Sequence, residues 1–374
     1  VWAVAGVVGL LTIVTGFLPL TDAGDITARV GPILGFLVAV TVLAELADRA
    51  EVFDVAADRV ARLGRGSVPR LFLLVCLLGT VTTIFLSLDT TAVLLTPVVL
   101  ALAVRLELPP LPFAMTAVWL ANTASLLLPV SNLTNLLAAD KLGRSPSSYV
   151  GAMALPASAA IVVSVLVLGV RFRKELRGRY ATPPPRVAGD RVLLIIGALA
   201  CLAFGPAVIA GAPAWAAATP AAAVLVLTFA WRRPGVLRLS LLPWRLVILT
   251  EGLFLVVEAA GRHGLDRLLH DVIGGGGAWR VGSISAAASN VFNNLPAYLA
   301  IERQTSRHDL LALLAGVNIG PLVLLWGSLA TLLWRERCKA RGVEISAGQF
   351  ARLGLIGMPL VLGATLGALQ LVTI

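Results

Sequence analysis

The chain is poor in charge. Asp, Glu, Lys and Arg make up 13% of its 374 residues, hydrophobic residues 58%, and the mean hydropathy is +0.91. A soluble domain of this size needs more polar surface than that to cover its core. Its three cysteines, Cys76, Cys201 and Cys338, lie far apart with no CxxC, which argues against a disulfide framework and a cysteine metal site. The three histidines, His263, His270 and His308, are expected in loops, and neither HExxH nor GxSxG occurs. No catalytic residue, metal or cofactor is therefore expected. No basic n-region or small-residue cleavage site marks the first apolar run as a removable signal peptide. Strand alternation of the outer-membrane barrel kind is also missing.

What the chain has is apolar runs. They cover 1–20, 30–47, 71–105, 110–140, 148–170, 192–211, 213–231, 244–261, 279–301, 309–334 and 350–373. Segments of about 20 apolar residues recurring along the whole length predict an all-α polytopic membrane protein. The net charge of +10 sits in short loops without a basic, aromatic-laced face, so no nucleic-acid partner is expected.

Three runs are not simple spans. Residues 71–105 are too long for one helix and are interrupted by "SLDTT" at 87–91. Residues 110–140 carry "NTAS" and "SNLTN", and 309–334 carry "VNIGP" and "GS". Breaks of this kind survive in a membrane only where they are buried in protein or line a wet cavity. If 71–105 is a re-entrant hairpin, 22 of the 30 Lys and Arg fall on one side, which is then cytoplasmic. That assignment puts loop 21–29 on the other side.

The breaks recur. Residues 122–137 overlay 318–333 at an offset of 196, pairing Asn122 with Asn318, Asn132 with Ser328 and Asn135 with Thr331. Upstream, 87–95 overlays 291–299 at an offset of 204, pairing Asp89 with Asn293. The expected organisation is two inverted transmembrane repeats. The first, 1–170, has hairpin 71–105 and broken helix 110–140. A basic, proline-containing cytoplasmic linker follows at 171–191. The second repeat, 192–374, has hairpin 279–301 and broken helix 309–334. The second repeat has three spans before its hairpin and the first only two, so a further N-terminal helix is expected before residue 1. Hairpin tips and half-helix starts should meet near the midplane, an architecture of secondary transporters.

The candidate substrate- and ion-binding residues are Asp89, Thr90, Thr91, Asn122, Thr123, Ser125, Ser131, Asn132, Asn135, Asn290, Asn293, Asn294, Asn318, Ser328 and Thr331, with Ser87 and Thr134 beside them. Amides and hydroxyls both donate and accept hydrogen bonds, which suits a neutral trihydroxy solute. The only carboxylate among them is Asp89. An acid in mid-membrane is costly and defaults to function, so Asp89 is expected to carry an exchanged proton. The competing role is to cap the half-helix that starts at Thr90. Glu251 and Glu258, seven apart on one helix face, and Glu45 are the next carboxylates in line.

At these residues the chain resembles a known family. "SLDTTAVLLTPVVLALA", "WLANTASLLLPVSNLTNLLAAD", "NNLPAYLA", "GSLATLLW" and "FLVAVTVLAELADRAEVFDVAA" at 36–57 look like the arsenite efflux pumps within the ion transporter superfamily. The resemblance runs across nearly the whole chain. It implies a homodimer in a bacterial plasma membrane, with a scaffold part and a moving transport part in each protomer. It also implies export of arsenite and antimonite in exchange for protons, sometimes with a soluble ATPase partner. The chain departs from the family's pattern at Asn122 and Asn318, where many members carry Asp, and at Leu322, where many carry Lys. A lone Cys76 in a hairpin arm cannot build a tris-thiolate site, so transport should not depend on thiols. A same-fold carrier for another small ion, a sodium/proton antiporter or a carboxylate transporter, stays open.

Overall fold

The computed structural model describes residues 2–185, 188–273 and 276–372. Apart from one isolated bridge between Ser67 and Arg179, the regular structure among them is helical. The first half contains α1 (Trp2–Val14), α2 (Leu20–Arg49), amphipathic α3 (Val52–Leu63), a hairpin of α4 (Val68–Leu86) and α5 (Leu88–Arg105), a broken helix of α6 (Pro110–Ala124) and α7 (Leu133–Leu142), and α8 (Pro146–Arg171). The second half contains α9 (Arg191–Ile209), α10 (Ala214–Arg232), α11 (Trp244–Ala260), short α12 (Asp266–Ile273), a hairpin of α13 (Ala278–Phe292) and α14 (Asn294–Ile301), a broken helix of α15 (Leu310–Ile319) and α16 (Leu329–Ala340), and α17 (Ala347–Val372). Among the described residues, seven helices are long and apolar enough to cross a membrane.

Both hairpins reverse on a strained residue. Ser87 has φ 116 and ψ 162, and Asn293 has φ 79 and ψ 154. A side chain in that region costs about 1–3 kcal/mol and persists only where its surroundings hold it. The tips therefore correspond at an offset of 206, Ser87 to Asn293, and not at the 204 that the letters suggest. The breaks keep the offset of 196. Leu128 and Leu324 are extended (φ −116, ψ 147 and φ −112, ψ 140), as are Asn132 and Ser328, from which α7 and α16 start. Pro129 accounts for the first break, because a residue before proline is pushed out of helical conformation.

A broken helix leaves carbonyls and amides without ladder partners, and lipid supplies none. Two asparagines take their place. Asn135 Nδ2 donates to the carbonyls of Ser125 (2.6 Å) and Leu128 (3.3 Å). Asn290 Nδ2 donates to Gly320 O (2.8 Å), and its Oδ1 accepts the Leu324 amide (3.0 Å). Close packing does the rest. Gly316 of α15 lies so near α13 that a Cβ there would run into the Gly282 carbonyl and Ser285.

The apolar core has two parts. One spans the hairpins and broken helices with α8 and α17. The other is built from the second half of α2 with α9 and α10. The pairings echo each other: α1 packs on α11, as α10 packs on α2. The hairpin ends are tied in the same manner. Arg105, at the end of the first hairpin, bonds Asp58 of α3 at 2.8 Å, and Arg303, just past the second, pairs with Glu258 of α11. The three cysteines are all buried.

Several details differ from the sequence reading. Residues 21–29 are not a loop but the first turns of α2. Two of their polar side chains find partners within the protein: Asp22 pairs with Arg262, and Thr27 donates to Glu251 at 2.6 Å. The linker 171–191 packs against the first half where it is described. Tyr180 is buried, its hydroxyl donates to Ala61 O (2.5 Å), and its amide donates to Gly66 O (2.9 Å). After it, Asp190 caps α9 through the amides of Val192 and Leu193 and bonds Arg232 at 2.7 Å, which holds its carboxyl below the usual range. Of the histidines, His270 falls in α12, not in a loop, while His263 lies in the non-helical turn after α11.

Asn290→Leu removes a splint at nearly constant volume. Leaving Gly320 O and the Leu324 amide unpaired should cost about 2–5 kcal/mol. The expected outcome is a large drop in the unfolding temperature of the detergent-purified protein, followed by tryptophan fluorescence.

Candidate functional site

Four chain reversals supply the site. At the first hairpin tip, the Ser87 hydroxyl accepts the Thr90 amide (3.3 Å), and helix resumes at Leu88. Ser87 is thus the cap, and the expectation that Asp89 caps a helix starting at Thr90 is corrected. Asp89 lies in the first turn, half-buried, with no hydrogen bond or ion pair among the described residues. At the second tip, Asn293 Nδ2 donates to Trp326 O (3.0 Å), and Asn294 Oδ1 accepts the Leu295 amide (3.0 Å). Asn132 Oδ1 accepts the Thr134 amide at the start of α7 (3.4 Å). At the start of α16, Ser328 Oγ accepts the Thr331 amide (3.1 Å) and shares a hydrogen bond with the Thr331 hydroxyl (2.8 Å).

These four starts converge on one cavity of about 60 Å3. Its polar wall is Asp89, Asn132, Asn293, Asn294, Ser328 and Thr250, the rest is leucine and alanine, and Asp89 is the one ionisable residue lining it. Several water-sized occupants fit such a volume. A larger cavity of about 350 Å3 also contains Asp89 and Asn132, adds Ser87 and Thr90, and follows α2 past Thr41 to Glu45 and Arg245.

The remaining candidates do other work. Asn318 is a hub between the broken helices. Its Nδ2 donates to Asn135 Oδ1 (3.0 Å) and Leu314 O (2.9 Å), and its Oδ1 accepts from Asn132 Nδ2 and from Ser125 Oγ (3.4 Å). Asn122 Nδ2 donates to Val118 O (2.8 Å), while its buried Oδ1 has no partner among the described residues. Thr91 bonds the Thr83 hydroxyl (2.8 Å), Thr123 donates to Trp119 O (2.9 Å), and Ser131 donates to Ile84 O (2.7 Å). The buried Thr134 hydroxyl has no partner among the described residues. Leu322 is fully buried. Of the reserve carboxylates, Glu258 pairs with Arg262 and Arg303, Glu251 accepts from Thr27, and Glu45 pairs with Arg49 at 3.0 Å while lining the larger cavity.

Sequence reasoning missed Thr250. It is fully buried, lines the small cavity, and its hydroxyl has no hydrogen-bond partner among the described residues. A helical threonine ordinarily bonds the carbonyl four residues back, as Thr41 does with Leu37 at 2.7 Å. Nothing in the letters around 250 distinguishes the two threonines.

The hub and the cavity should separate experimentally. Asn318→Leu leaves Asn132 Nδ2 and Asn135 Oδ1 without their partner and should cost about 2–4 kcal/mol. Asp89→Asn breaks no hydrogen bond and should leave thermal stability near that of the parent. Paired unfolding curves of the two variants in detergent check this.

The chain matches the model of the citrate transporter family over residues 1–315. It is 32% identical to the arsenical pump membrane protein of Escherichia coli (strain K12), over 97% of this chain and 91% of that one. A putative arsenical pump membrane protein of Bacillus subtilis (strain 168) is 25% identical, over 96% and 92%. The crystal structure of the Alcanivorax borkumensis YdaH transporter, described as having an unusual topology, shares the fold at a TM-score of 0.59. The identity is 13%, with 94% of this chain and 87% of that one covered. The chain is a multi-pass protein of the bacterial plasma membrane and a transporter of small ions, not an enzyme. With its full-length likeness to the arsenical pumps and a family match over most of its residues, it belongs to the arsenical pump membrane proteins of the citrate transporter family.

Proposed function

We propose that this transporter exports arsenite and antimonite in exchange for protons, with the small cavity as the shared site. The observation that carries the reading is the lining: amides and hydroxyls around a single unpartnered carboxylate, with no Lys or Arg. Asn132, Asn293, Asn294, Ser328 and Thr250 offer both donors and acceptors, as a neutral trihydroxide requires. Asp89 is the one group there that can take up and release a proton. Substrate and proton then compete for the same space, which is the simplest way to enforce exchange.

On this reading the two halves are inverted repeats, as the charge pattern implies, and the hairpins and broken helices carry the site past a scaffold containing α2, α9, α10 and α11. The carrier works as a homodimer. A soluble ATPase would add drive without changing the site.

A carboxylate substrate is the second reading, favoured by the family's name and by Arg245 in the larger cavity. Citrate would have to occupy that larger cavity, because the small one would set its charges against Asp89 with no cation to offset them.

Uptake into everted vesicles, with a pH-sensitive dye present, compares arsenite, antimonite, sodium and citrate. Arsenite uptake that dissipates the proton gradient is expected, with no response to sodium or citrate. Asp89→Asn should insert and bind substrate but lose proton-driven transport. Wild-type pH dependence in that variant would remove Asp89 from coupling.

A further inference from the structure

Two cavities meet along α2. The first, of about 350 Å3, has Asp89 and Asn132 in its wall and extends to Thr41, Glu45 and Arg245. The second, of about 330 Å3, is lined by Arg29 and Ile33 of α2, by Asp140 and Arg144 at the end of α7, and by Trp215 of α10. Phe36 and Val130 line both. Residues 29, 33, 36, 37, 40, 41, 44 and 45 fall on one face of the helix. Arg29 and Glu45 are sixteen residues apart, about 24 Å along the axis at 1.5 Å per residue, so the two cavities open toward opposite ends of α2.

The partition between them is thin and apolar. Phe36 is 3% exposed and Val130 1%. The Phe36 ring is backed by Phe204 at 6.3 Å between centroids. Val130 belongs to the broken stretch between α6 and α7, whose next residue, Ser131, is anchored on Ile84 O. One side of the partition is therefore a scaffold aromatic, and the other is part of the break that also carries Asn132.

The second cavity is chemically equipped. Arg29, Arg144 and Asp140 make no ion pair among the described residues, although Glu302, whose carbonyl accepts from Lys141 Nζ, lies close enough for its charge to reach Arg29. Guanidinium donors and a carboxylate acceptor around an apolar-walled recess suit oxygen-bearing solutes.

We propose that the second cavity is a release vestibule for the same small, oxygen-bearing substrate, on the membrane face opposite Glu45 and Arg245, sealed from the site by Phe36 with Val130. The substrate class rests on the export reading above. The sidedness does not, so a failure of one is distinguishable from a failure of the other.

Single cysteines at Ile33→Cys and Thr41→Cys, in a chain whose native cysteines are replaced by alanine, test it. A membrane-impermeant sulfonated methanethiosulfonate reagent is applied to right-side-out and to inside-out vesicles. The cysteine at 41 should label from one face only and that at 33 from the other face only. Adding Phe36→Ala should raise labelling at 41 from the far face from background to a measurable rate. Val130→Ala opens the same partition from the other wall if the first variant does not insert. Arg29→Gln with Arg144→Gln should slow the sulfonated reagent at 33 by about fivefold, since two nearby cations no longer attract it. Labelling of both positions from one face, no labelling at 33 from either face, one-sided labelling at 41 with the partition removed, or indifference to the arginines would each overturn the proposal.

Discussion

A backbone that leaves its helix inside a membrane must find new partners for every amide and carbonyl it frees. This chain does so four times, at two hairpin tips and two breaks, and most of its buried polar side chains answer that demand. Asn135 and Asn290 splint the breaks, and Ser87, Asn132 and Ser328 cap the restarted helices. The site uses what is left over. Asp89 and Thr250 are the polar side chains lining the cavity that make no hydrogen bond among the described residues.

The hub at Asn318 follows from the same constraint. One amide joins residues from both halves of the chain, so the crossing of the broken helices is fixed by hydrogen bonds as well as by packing. The close approach at Gly316 brings the second hairpin against that crossing. The tips stand in strained conformations, the second pinned by the Asn293 Nδ2 bond to Trp326 O. Glycine, the usual occupant of such conformations, stands at neither tip.

Much of this was legible in the letters. Polar residues interrupting apolar runs mark "SLDTT", "NTAS", "SNLTN" and "VNIGP", and those are the places where the helices reverse or break. Asp89, Asn132, Asn293, Asn294 and Ser328 were all picked out as a potential cage. The letters could not divide the amides into splints, hub and cavity wall, because that division depends on which carbonyls each one faces. Asn290 and Asn293 differ only in direction. The tip register was misjudged by two residues because similarity of side chains is a poor guide to where a backbone turns. Residues 21–29 look like a loop by polarity, yet Asp22 and Thr27 find partners on α11 and in the turn beyond it, and the helix continues. Tyr180 was lost in a basic stretch, although its ring and both its polar groups are used.

The burial of Cys76, Cys201 and Cys338 takes on a further meaning if the solute is a trivalent metalloid. Such species poison proteins by chelating two or three neighbouring thiols. All three thiols are buried, and they lie far apart in sequence. A molecule that handles the poison at every turnover would then keep its own sulfurs out of reach of its cargo, and its tolerance would lie in the burial of the cysteines.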